Sequence, residues 1–160
     1  MTKTDVVTAS MVDGDPAFKK GNLHGADILP RKGKAPLVAS ADNVEGEVYV
    51  SDTSFQKAAK VRVPPGGPYA DGKGYAPTDV AFAPGGTVWV TDGYGKAYFM
   101  PADVDPLKFR GEFFGGKKMS GTPHGITFDP GTGHLLVSAR PDRKSTRLNS
   151  SHLVISYAVF

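Results

Sequence analysis

Two histidines and one tyrosine stand in glycine-flanked steps that set them apart from the rest of the chain. His24 lies in Leu23-His24-Gly25-Ala26-Asp27, His124 in Pro123-His124-Gly125-Ile126, and Tyr94 in Thr91-Asp92-Gly93-Tyr94-Gly95. A neutral imidazole is the commonest protein metal ligand and otherwise serves as a hydrogen-bonding ring. A phenol, with an ordinary pKa of about 10, is a poor base near neutrality. It becomes a usable one where a neighbouring cation favours its ionised form. Other signatures are missing: there is no Gly-x-Ser-x-Gly elbow, and no glycine-rich stretch ends in the Gly-Lys-Ser/Thr of a phosphate loop. Gly72-Lys73-Gly74 reads as a loop, and His134, just after Gly133, as a solvated hairpin residue. Nothing singles out a carboxylate pair for glycoside hydrolysis.

Tyr94 is 70 residues from His24 and 30 from His124, so only the fold can bring them together. Glycine (20) and proline (13) are abundant, and short alternating apolar runs between turn residues replace any helical period, which predicts an all-β domain. Pro77-Thr78-Asp79-Val80-Ala81-Phe82-Ala83-Pro84-Gly85 aligns with Pro123-His124-Gly125-Ile126-Thr127-Phe128-Asp129-Pro130-Gly131, 46 positions later. Each copy leads through a glycine turn into a β-rich run, Val88–Asp92 in one and Leu135–Ala139 in the other. Gly46-Glu47-Val48-Tyr49-Val50-Ser51-Asp52 reads as a third, upstream copy of that run. A period of this length is that of a four-stranded propeller blade. Val80 and Phe82, like Ile126 and Phe128, alternate onto one strand face, while Trp89 and the phenylalanines are read as core between blades. Asp52 and Asp92 are read as acceptors for turn hydrogen bonds. The fold class expected is all-β, a partial β-propeller of about three blades, where such rings close with about four to eight. In such a ring the strand nearest the axis begins just after each His-Gly step, so His24 and His124 would face one channel.

The repeat resembles the NHL repeat across residues 21–141, which implies a six-bladed ring. Within that class the His-Gly and Asp-Gly-Tyr steps look most like those of peptidyl-α-hydroxyglycine amidating lyase. The resemblance implies that His24 and His124 are zinc ligands and that Tyr94 is the catalytic tyrosine, with a peptide or small-molecule substrate in the channel. It also implies a structural calcium, with the Ala26 carbonyl as a donor. The family's third histidine and its substrate-binding arginine find no match. Two departures bear on activity: the run after Tyr94 is Gly95-Lys96-Ala97-Tyr98, where relatives commonly read Gly-Asn-Ser-Arg, and Ser138-Ala139-Arg140 stands where they read Ser-Asp-Arg. Two further classes stay open: a non-enzymatic NHL scaffold that binds protein or other ligands, and a lactonase-like propeller with calcium held by carboxylates.

Residues 142–160 read differently. Asp142–His152 and Ile155–Phe160 are what the constant stretches of a common short-read sequencing adapter encode, with Leu153-Val154 at its variable index. The segment is therefore expected to be non-native, and processing scars are set apart from fold reasoning. Arg143, Lys144 and Arg147 against Asp142 put two of the chain's three net positive charges there. The near-neutral remainder lacks the basic footprint of nucleic-acid binding, and Arg31-Lys32-Gly33-Lys34 reads as a solvated turn. The absence of cysteine excludes disulfides and thiolate metal sites. No apolar run is long enough for a membrane-spanning helix, so neither a membrane nor a nucleic acid is expected as a partner, and the compartment is left open. Residues 1–20 are expected to be a turn-containing segment of a broken blade. Sequencing of source DNA across the codons for Arg140 to Arg143 is expected to lose the adapter-like codons and to continue into further blades. Genomic codons for Asp142–Phe160 would overturn the adapter reading.

Overall fold

A computed structural model describes residues 14–19, 21–119, 121–140 and 153–157. Those residues form three antiparallel sheets and no α-helix, so no helix is long and apolar enough to cross a membrane. The first sheet runs β1 (Leu23–Arg31), β2 (Lys34–Asp42), β3 (Glu47–Asp52), β4 (Ala58–Val61) in order. The second runs β5 (Asp79–Ala83), β6 (Thr87–Thr91), β7 (Tyr98–Val104), β8 (Leu107–Phe109), with β9 (Phe114–Gly115) also paired to β7. The third holds β10 (Thr122–Asp129), β11 (His134–Arg140) and β12 (Leu153–Tyr157). A 3₁₀ turn precedes each first strand, at Pro16–Lys19, Gly67–Tyr69 and Gly116–Lys118.

The turns follow from local chemistry. Lys32-Gly33 joins β1 to β2 where Arg31 pairs with Lys34, and Gly33 takes a φ of 71° that a side chain would resist. The basic Arg31–Lys34 cluster is thus a hairpin turn, exposed from Lys32 onward. Strand register defines the repeat. Ala41 pairs with Gly25, Thr91 with Asp79, and Ser138 with Gly125. The next residues, Asp42, Asp92 and Ala139, are therefore equivalent. Asp42 Oδ1 accepts Asn22 N at 3.0 Å just as Asp92 Oδ1 accepts Ala76 N at 2.6 Å. This corrects the upstream copy of the repeat: the counterpart of Val88–Asp92 is the second strand β2, ending at Asp42, and Gly46–Asp52 belongs to the third strand. Both runs alternate β-branched and aromatic residues and end in Asp, and a local pattern cannot say which strand of a sheet it is.

The second sheet is covered on both faces. Val80, Phe82, Val88, Val90, Met100 and Ala102 pack towards Ala39, Ala41, Val48 and Val50 of the first sheet. Ala81, Trp89 and Phe99 pack the other way, against Ile126, Leu135, Val137 and Ala139 of the third. Strict alternation along β5, β6 and β7 thus supplies two cores, which explains their nearly continuous apolar sequence. Trp89 and Phe99 are core, as the sequence predicts, and Phe114 stacks 5.6 Å from Phe99.

Of the segment 1–20, residues 14–19 lie against the first sheet: Asp15 N donates to Phe55 O at 2.6 Å, and the Phe18 ring sits 5.1 Å from that of Tyr49. The rest of 1–20 lies outside the described residues. So does 142–160 apart from β12, which pairs with β11 from Ala139↔Leu153 to Leu135↔Tyr157. An edge strand presents a row of unpaired N–H and C=O groups to any extended segment.

Phe99→Ala, which empties a site 2% exposed, is expected to cost about 3–5 kcal/mol in urea denaturation. Ile28→Ala, at a position 58% exposed, should stay within about 0.5 kcal/mol.

Candidate functional site

His24 starts β1, His124 starts β10, and Tyr94 stands in the loop that leaves β6. The structure brings all three together. The Tyr94 hydroxyl lies 3.3 Å from His24 Nε2 and 3.1 Å from His124 Nε2. The two imidazole centroids are 4.9 Å apart, and each is 5.3 Å from the Tyr94 ring, all edge-on. Tyr94 is 49% exposed, so the cluster opens to solvent. A cleft of about 480 Å³, lined by Phe18, Leu23, Val38 and Phe55, runs alongside His24.

The first strands of the first and third sheets hold His24 and His124. His24 Nδ1 donates to the carbonyl of Thr78, 2.8 Å away, at the head of β5. That bond makes Nδ1 a donor and turns Nε2 towards Tyr94. Thr78 follows Pro77 as His124 follows Pro123, so the middle sheet carries a hydroxyl at the position where its neighbours carry imidazoles. Its fully buried Oγ1 meets Thr91 Oγ1 at 3.1 Å and Pro123 O at 3.3 Å, and accepts Gly93 N at 3.2 Å. Carboxylates tie the strands sideways: Asp27 accepts Phe82 N of β5, and Asp79 accepts Ile126 N of β10, at 2.8 and 2.9 Å.

The Tyr94 loop is built on Asp92. This side chain is fully buried and accepts Ala76 N, Lys96 N and the Tyr69 hydroxyl at 2.6, 2.6 and 2.5 Å. Burial raises its pKa despite those donors, and burial together with Asp92 raises that of Tyr69. The glycine before Tyr94 is forced by close approach: a Cβ on Gly93 would stand 2.6 Å from Thr78 Oγ1 and 2.7 Å from Pro123 O. Asp52, likewise, accepts Ser54 N at 2.8 Å in its own turn. Both aspartates thus have the turn role read from the sequence.

Four residues were missed, Asp27 among them. Thr78 and Asp79 carried a visible signal, a polar pair opening an apolar strand. Arg140 carried none beyond its place at a strand end; its Nη1 lies 3.4 Å from His124 Nε2. Because a guanidinium only donates, that nitrogen is an acceptor. Burial, then His24 and Arg140, lower the His124 pKa, keeping the ring in its neutral, ligating form. The Nε2 atoms of His24 and His124 and the Tyr94 oxygen therefore converge. This donor set suits two of the ligands that zinc takes. Among the described residues no group of three or more His, Cys, Asp or Glu completes it. His134 begins β11 opposite Asp129, away from this cluster.

No protein-family model matches this chain, and no curated protein matches it.

Asp92 gives a pH prediction. Its raised pKa means that the protonated carboxyl's contribution is complete below the unfolded value of about 3.9 and is lost as pH rises through the folded value. Measured by urea denaturation from pH 4 upward, the wild type should lose stability relative to Asp92→Asn. A pH-independent difference would contradict the burial argument.

Proposed function

We propose that the three sheets are blades of an NHL-type propeller, and that His24, His124 and Tyr94 belong to a channel-facing metal site of a lyase. The reaction is cleavage of a peptidyl-α-hydroxyglycine to a peptide amide and glyoxylate. The observation that carries the reading is the convergence of these three side chains on one hydroxyl, from positions 70 and 30 residues apart. In this reading His24 and His124 would hold zinc, and the metal, when bound, would supply Lewis-acid polarisation of the substrate hydroxyl. Acting as general base, Tyr94 takes the proton of the substrate hydroxyl. The O–H electron pair forms the new carbonyl of glyoxylate, the C–N bond breaks, and Tyr94 returns that proton to the amide nitrogen. Arg140, beside His124, meets the substrate carboxylate as a fixed guanidinium. The cleft beside His24 takes the adjoining apolar part of the peptide.

A second reading, a non-enzymatic propeller scaffold, draws on the lack of a third histidine or carboxylate in the cluster among the described residues. Zinc titration of the full chain separates the two. Zinc binding is expected, weakened on the order of 10-fold or more by His24→Ala and by His124→Ala. Tyr94→Phe should keep zinc but slow glyoxylate release from a peptidyl-α-hydroxyglycine by about 10²–10⁴-fold, the usual worth of a general base. Zinc affinity untouched by both histidine substitutions, with no glyoxylate released, would favour the scaffold.

A further inference from the structure

We infer that Asp79 is the positioning residue that sets His24 and His124 relative to one another, an assignment that rests on the site reading above for its metal consequence but not for its geometry. Asp79 lies in β5, between the strands that carry the two histidines. Its backbone orients one ring, because the carbonyl that receives His24 Nδ1 is that of Thr78, in the Thr78–Asp79 peptide. Its side chain fixes the other strand, because Oδ2 accepts Ile126 N at 2.9 Å, two residues beyond His124. Oδ1 is held by Val80 N at 2.9 Å, so the carboxylate cannot swing.

The same wedge accounts for the glycine that follows His24. A Cβ on Gly25 would fall 2.2 Å from Asp79 Oδ1 and 2.6 Å from Thr78 O. A Cβ on Gly125 would lie 3.6 Å from Asp79 Oδ2 and 2.7 Å from Ser138 Oγ. The first His-Gly step thus leans on the Asp79 carboxylate, while the second is crowded by Ser138 Oγ and only touches Asp79 Oδ2. Burial raises the Asp79 pKa against the Ile126 and Val80 donors, and its charged or titratable neighbours are Asp27 and His24. Asp27 makes the same kind of bridge, to Ile28 N and Phe82 N, both at 2.8 Å. It joins β1 to β5 at a level beyond the rings, and so serves as an internal control.

Asp79→Asn keeps the shape but turns one oxygen into a donor facing an N–H, which breaks either the Val80 or the Ile126 bond. The full chain and the variants Asp79→Asn and Asp27→Asn would be compared by the ring-nitrogen chemical shifts of His24 and His124 without metal, by zinc titration, and by urea denaturation. Asp79→Asn is expected to move both rings' signals and to weaken zinc binding about 10-fold or more, the effect typical of groups that orient ligands. Asp27→Asn should lower stability comparably with both rings' signals unmoved. Unchanged ring signals in Asp79→Asn, or equal shifts in Asp27→Asn, would overturn the assignment. If the wild type binds no zinc, the lyase reading fails and the metal-free ring signals alone decide the role of Asp79. If Asp79→Asn does not fold, Asp79→Glu keeps both acceptors, displaces them by one methylene, and is judged by the same signals.

Discussion

Three sheet edges lie side by side here without pairing. β1, β5 and β10 belong to separate sheets, so the N–H groups along their facing edges receive nothing from a neighbouring strand. A buried donor left in that state costs about 1–3 kcal/mol. The chain answers with carboxylates. Asp27 takes Ile28 N and Phe82 N, and Asp79 takes Val80 N and Ile126 N. Each acid covers one donor on its own strand and one on the next, which fixes the gap between strands to the span of a carboxyl group. That spacing decides how close the strand heads stand, and both histidines are at strand heads.

The two cores keep this arrangement in place from outside. With the middle sheet buried on both faces, small displacements of β5 would disturb Val80 and Phe82 on one side and Ala81 on the other. Close-packed interiors resist that, since even a methylene of mismatch is felt. The Tyr94 loop has no such packing of its own. It borrows rigidity from Asp92, whose buried carboxylate gathers two backbone donors and a tyrosine hydroxyl. A half-exposed phenol is thereby carried on a buried acid, a common division between a rigid scaffold and a functional loop.

What was legible in the sequence follows from this division. The all-β class, the hairpin turns at Lys32-Gly33 and Pro84-Gly85-Gly86, the buried Trp89 and the pairing of His24 with His124 are carried by local pattern or by the repeat, whereas the place of Tyr94 beside them came from the resemblance alone. The upstream copy was misplaced by one strand, because Val48–Asp52 and Val88–Asp92 look alike and alternation does not number strands. Asp27 and Asp79 were passed over because an acid within a strand reads as solvent-facing until the neighbouring edge is known. Arg140 was beyond reach, since its nearness to His124 depends on the register of β10 with β11, where Thr122 faces Arg140.

At the cluster the strands and the loop meet on one hydroxyl. His24 gives the N–H of Nδ1 to Thr78 O, and the Arg140 guanidinium, which can only donate, faces His124 Nε2. The Tyr94 hydroxyl stands 3.3 Å from His24 Nε2 and 3.1 Å from His124 Nε2. The two rings sit on strands of separate sheets, while the hydroxyl comes from a loop set by Asp92. Their mutual distances therefore depend on the carboxylate spacing between strands and on the Asp92 loop at once, so a change at either support reaches all three side chains.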